Sequence, residues 1–163
     1  MKTLFLLRHA KSSWSDPEHK DFERPLANRG LSDVEVMAQR FVDRGRPVEC
    51  IVASPAVRAK TTAILFANAV GFPQDDIVAN PELYFAGAAM FLKAVGLTDE
   101  DYSSTMFVGH NPAITEFAND MCGADIDNIP TCGLVELQLS IDLWSEIAYN
   151  SADLMGFDFP KRK

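Results

Sequence analysis

The chain has 163 residues, 47% of them hydrophobic and 23% charged, with a formal net charge of −8. That length supports one domain with a sizeable core, expected to span residues 1–163. The negative balance argues against nucleic acid and against an anionic membrane surface as partners, because both need a basic face.

Three cysteines, Cys50, Cys122 and Cys132, are odd in number and widely spaced. That pattern fits neither a disulfide framework nor a zinc motif, and it points to a reducing, cytoplasmic setting. The opening apolar run stops at Arg8. It is shorter than the ~7–15 residues of a secretion signal's core, and no later stretch nears the ~20 residues of a membrane span.

Residues 3–7 (TLFLL) form a continuous apolar run, which predicts a central strand covered on both faces. Residues 15–30 are polar and carry Pro17, Pro25 and Gly30, which predicts a long loop of the kind often used for function. A helix should follow. Ser32 and Glu35 stand at capping-box spacing, with Leu31 and Val36 as a hydrophobic staple. Leu31, Val34, Met37, Ala38 and Phe41 recur at helical spacing until Gly45 and Pro47 end the pattern.

Residues 50–54 (CIVAS) read as a second strand. Ser54 then suits a helix cap, Pro55 the first helical position and Gly71 the stop, with Ala59, Thr62, Ala63, Phe66 and Ala69 on one face. Residues 76–80 are a candidate third strand, and residues 86–96 a short helix. The same grammar returns in TMFVGHNPAITEFANDMCG: a strand over 105–108, Asn111 as cap, Pro112 as first helical residue and Gly123 as stop. Last, Val135, Leu137, Leu139 and Ile141 alternate with polar residues, the period of a half-buried strand, and residues 144–150 are a candidate hairpin partner. The basic residues at 161–163 read as a solvated tail. Strands alternating with helices predict a three-layer α/β/α sandwich whose sheet is mostly parallel, with an antiparallel edge.

In such folds ligands bind beyond the carboxyl ends of the strands. The first strand ends on Arg8 and His9, the second on Ser54-Pro55 with Arg58 just beyond, and the later one on Gly109-His110-Asn111-Pro112. Each piece alone has an ordinary structural explanation, as does His19 on a polar loop. Together they bring two arginines and two histidines to one edge, beside two helix N-termini. No carboxylate lies in these motifs, so an anionic ligand is the natural counter-charge, and phosphate suits arginines and helix N-termini best.

These segments, LLRHAKS, SPAVRAKTTA and VGHNP, resemble the histidine phosphatase superfamily, with its phosphoglycerate mutase-like fold. RHAKSSW, DPEHKDFERPLANRG and GHNP are most similar to its compact SixA-like branch, the phosphohistidine phosphatases. The resemblance implies a hydrolase in which His9 is the nucleophile and carries the phosphoryl group. It implies that Arg8, Arg58 and His110 bind the phosphoryl oxygens, with no metal or other cofactor. Larger members use a mid-chain acid, for which Glu82 is the candidate here. Asp16, Glu18, Asp21 and Glu23 are outside candidates, and Lys11 and Ser12 shape the loop or touch the substrate. The expected partner is a phosphorylated protein, or a small phospho-compound if the enzyme is a phosphomonoesterase. A phosphate-binding module without turnover is the rival from another class.

Overall fold

The computed structural model describes residues 1–85 and 87–163. Among the described residues six strands and four α-helices mostly alternate: β1 (Lys2–Arg8), α1 (Asn28–Asp43), β2 (Cys50–Ala53), α2 (Val57–Val70), β3 (Val78–Ala79), α3 (Ala88–Gly96), β4 (Ser104–Gly109), α4 (Ala113–Cys122), β5 (Leu134–Leu139) and β6 (Ala152–Asp158). Ala86, which the sequence pattern places at the start of α3, lies outside the described residues. The strands form one sheet in the order β3-β2-β4-β1-β5-β6. β1, β2, β3 and β4 pair in parallel, whereas β5 pairs antiparallel with both β1 and β6.

Alternation along the strands builds two cores. On β1, Leu4 and Leu6 face one side with Val52, Phe107, Val135 and Leu137, against α3 and α4. Phe5 and Leu7 face the other with Ile51, Met106 and Val108, against α1 and α2. Both faces of β1 are thus covered, which is why its sequence is a solid apolar run. Trp144 closes one end of the first core, fully buried, with its indole N–H donating to the Tyr102 carbonyl at 2.8 Å. Among the described residues no helix is long and apolar enough to cross a membrane.

Three local expectations are revised. α1 starts at Asn28, four residues before Ser32, whose hydroxyl donates back to the Asn28 carbonyl instead of capping. Leu31 and Val36 are solvent-exposed and staple nothing. The earlier start lets Gly30 pack on the loop after β1, where a Cβ would run into the Lys11 carbonyl oxygen. The hairpin partner of β5 is β6, not residues 144–150, which hold a 3-10 turn at Trp144–Glu146. β6 is mostly half-exposed and pairs across a bulge at Glu136/Leu137, so its sequence lacks a clean period of two. Buried Asp158 anchors β6 to the end of α1 by accepting from Arg40 (3.1 Å) and Arg44 (2.7 Å).

Candidate active site

The registers put Arg8 beside Gly109 and Ala53 beside Val108, so β1, β4 and β2 end side by side. Two backbone bonds tie the residues just beyond: His9 N to Gly109 O and Ser54 N to Val108 O, each 3.0 Å. A fourth segment arrives from an unexpected place. The turn before β5 is bonded to this edge through Arg8 N to Gly133 O and Cys132 N to His9 O, both 3.0 Å. Arg8 Nη1 donates to the Ile129 carbonyl at 2.9 Å.

His9 and His110 face each other with ring centroids 5.1 Å apart, at 7% and 9% exposure. His9 Nδ1 lies 2.7 Å from the Ala10 carbonyl oxygen. A carbonyl only accepts, so Nδ1 carries the proton and Nε2 keeps a free lone pair. Burial is the main force that holds the His9 pKa down to about 3, aided by the charges of His110, Arg58 and Arg8 and opposed by the Ala10 bond. The ring is therefore neutral at pH 7, as a nucleophile must be.

His110 Nε2 lies 2.7 Å from Ser54 Oγ. That oxygen also accepts from Ala56 N at 3.3 Å, and since its second lone pair and its hydrogen both suit a ring nitrogen, the neutral ring can carry its proton on Nδ1 or on Nε2. Ser54 is thus a partner of His110 more than a helix cap, and α2 begins only at Val57. Burial, then the charge of Arg58, takes the His110 pKa down to about 4, while Asp21 opposes the shift. Among the described residues, His110 Nδ1 and Arg8 Nε are buried without a hydrogen-bond partner. An unmet guanidinium N–H and a ring nitrogen that donates once His110 is charged, beside the bare imidazole nitrogen of His9, suit an anion.

Arg58, 7% exposed, stands in the first turn of α2. Thr62 fixes that turn to the loop after His9, donating to Arg58 O at 2.7 Å and accepting from Ala10 N at 3.0 Å. The guanidinium is met by Asp21, from the 3-10 turn Asp21–Glu23: Nη1 to the Asp21 carbonyl at 2.7 Å and Nη2 to Oδ2 at 3.1 Å. Asp21 also accepts from Tyr84 OH at 2.7 Å and from Arg24 Nη1 at 3.1 Å. The Tyr84 hydrogen bond first, then the Arg58 charge, lowers the Asp21 pKa, so the carboxylate is ionised at pH 7. Arg24 completes the loop's frame through Ser12 Oγ and by lying over the Trp14 ring at 3.3 Å.

The structure thus brings Arg8, His9, Arg58 and His110 to one edge. Glu82 stands on the turn Pro81–Leu83, its carboxylate paired with Lys93 at 3.3 Å. Tyr84, two residues on, is the side chain of that segment that reaches the site. Its ring centroid is 5.7 Å from that of His110. Asp16 and His19 pair with each other on the surface, Glu18 is exposed, and Glu23 accepts from Lys20 N. Lys11 is exposed, and Ser12 serves the loop as Arg24's partner. Asn111 does not cap α4, which begins at Ala113. Its side chain donates to Asn128 Oδ1 and Ile129 O and accepts from Thr115, which fastens the turn before β5. Asp21 was one loop carboxylate among four, and Tyr84 and Ser54 carried no chemical signal of their own. Among the described residues, no three His, Cys, Asp or Glu side chains converge as a metal site.

Residues 4–84 match the histidine phosphatase superfamily (branch 1). A crystal structure of a protein assigned as the phosphohistidine phosphatase SixA from Agrobacterium tumefaciens superposes with a TM-score of 0.81 at 30% identity, covering 96% of both chains. This chain belongs to the histidine phosphatase superfamily. An uncharacterized chloroplastic protein of Arabidopsis thaliana is 32% identical over 89% of this chain and 70% of its own length. A protein histidine phosphatase SixA complexed with tungstate shares the fold, with a TM-score of 0.82 at 19% identity over 97% of each chain.

Proposed function

We propose that this superfamily hydrolase is a SixA-like phosphohistidine phosphatase that uses His9 as a covalent nucleophile and needs no metal. The observation that carries the reading is the bare Nε2 of a neutral His9 beside the unmet Arg8 Nε–H and the unpartnered Nδ1 of His110. Tungstate, a tetrahedral oxyanion like phosphate, is bound by one of the SixA proteins of the same fold, which supports an oxyanion at this edge.

The chemistry divides into two transfers. First, the Nε2 lone pair of His9 forms a bond to phosphorus. The bond to the leaving atom breaks, and its electron pair stays with that atom, which takes a proton from solvent. Arg8, Arg58 and the Nδ1–H of His110 hold the equatorial oxygens and neutralise the charge spread over them. Second, water attacks the phosphorus on His9, the P–N bond breaks, and inorganic phosphate leaves with the ring restored. Burial keeps both histidines neutral before substrate binds. An arriving phosphate dianion favours the charged form of His110 and raises its pKa.

The test is phosphate release from a phosphohistidine peptide and from p-nitrophenyl phosphate, with wild type and His9→Ala. Wild type is expected to release phosphate from the peptide, and His9→Ala to lose at least about 10³-fold, the scale set by losing a nucleophile. Acid-quenched enzyme should carry label on His9. No release by wild type from either substrate, or a label on serine or cysteine, would refute the reading. Ester cleavage far faster than peptide cleavage would make it a small-molecule phosphomonoesterase.

A further inference from the structure

Arg58, His9 and His110 form a floor with 7–9% exposure. The Asp21 side chain, at 51%, stands at the mouth above it. Three donors fix that carboxylate in place: Tyr84 OH and Arg58 Nη2 on Oδ2, and Arg24 Nη1 on Oδ1. Beside it stands an aromatic wall. Tyr84 packs edge-on against Phe22 at 5.1 Å and Phe85 at 4.5 Å between centroids, and Phe85 is 89% exposed. Displacement at phosphorus is in line, so a nucleophile on the floor sends the leaving group toward the mouth. Whatever leaves passes the half-exposed Asp21 carboxylate, paired with Arg58 and Arg24, and the Tyr84 ring.

We propose that Asp21, backed by Tyr84, is the specificity-determining residue of this site, selecting phosphoryl compounds whose leaving group is neutral or cationic and rejecting those whose leaving group carries an anion. The inference rests on the phosphatase reading above. A leaving group with its own carboxylate or second phosphate meets like charge at close range, while a cationic one meets a carboxylate and an aromatic wall. A departing imidazole suits such a mouth: it keeps the electron pair of the broken P–N bond and gains a proton, so no negative charge builds up beside Asp21. Small acidic phosphate esters suit it poorly. Asp21 also braces Arg58, and loss of that brace would depress turnover of every substrate alike. Selection instead changes the ratio between substrates.

The experiment compares 4-(aminomethyl)phenyl, phenyl and 4-carboxyphenyl phosphate at low ionic strength, with wild type and Asp21→Asn, which keeps the side chain's shape. Wild type is expected to favour the amine over the carboxylate by about tenfold or more in kcat/KM, a ratio consistent with one close charge pair near a protein surface. Asp21→Asn should compress that ratio toward unity. An equal fall for all three, or no discrimination by wild type, would overturn the proposal. Calorimetric Kd values for the three compounds on His9→Ala give the same comparison without turnover. The same ordering there, with wild type inactive on every substrate, would keep the selector and sink the phosphatase reading; equal Kd values would sink the selector.

Discussion

At the scale of single residues, the site depends on where two protons sit. The Ala10 carbonyl holds one on His9 Nδ1, and Ser54 Oγ, 2.7 Å from His110 Nε2, governs the other. Ser54→Ala removes that second control. The prediction is a fall in kcat of about tenfold, with KM little changed, because the donor strengthens chiefly in the transition state. The pH–rate profile should shift as well, since His110 then titrates without its hydroxyl partner; an unchanged profile would assign Ser54 to packing alone. Arg8, His9, Arg58 and His110 were legible in the sequence because their types are rare together and each follows a strand. Asp21 was not. It shares its loop with Asp16, Glu18 and Glu23, and only the fold of the 3-10 turn points one of the four at Arg58.

At the scale of elements, the loop after β1 is shaped by a helix that packs beneath it. Gly30 lies in the first turn of α1 against the backbone of Lys11, and Ala27 N donates to Lys11 O at 2.9 Å. Gly→Ala inside a helix ordinarily stabilises by about 1 kcal/mol. Here the sign should reverse. Gly30→Ala is expected to cost about 1–3 kcal/mol through overpacking and to lower kcat by displacing Ser12 and Arg24, as measured by urea unfolding and turnover. A more stable, fully active variant would show that the contact yields freely. The helix's existence was legible from Val34, Met37, Ala38 and Phe41, all buried as their spacing required. Its start was not, because a tertiary contact at Gly30 outweighed the local capping pattern of Ser32 and Glu35. β1 was the easiest element to read, since a strand covered on both faces carries an unbroken apolar run from Leu4 to Leu7.

At the scale of the whole molecule, two buried histidines make stability depend on acid. Their pKa values in the fold, about 3 for His9 and about 4 for His110, lie below the ordinary 6.5. Below pH 6.5 the unfolded chain therefore binds protons that the folded chain refuses, and stability falls as pH falls, down to about pH 4 for His110 and about pH 3 for His9. From pH 7 to pH 5 the pair should cost up to about 4 kcal/mol, read as a lower urea midpoint. A His9→Gln/His110→Gln variant should show a flatter pH dependence over that window; equal slopes would mean that the burial of these rings does not govern acid stability. The sandwich and its mostly parallel sheet were legible at this scale, whereas β6 was not, since a bulged edge strand carries little periodic signal. The two tryptophans of the chain also divide the molecule optically. Trp144 is sealed in the core, while Trp14 is 71% exposed beneath the Arg24 guanidinium that frames the site. Iodide can reach only the latter, so quenching separates an emission that follows the active-site loop from one that follows global unfolding, and the protein carries its own pair of reporters without a dye.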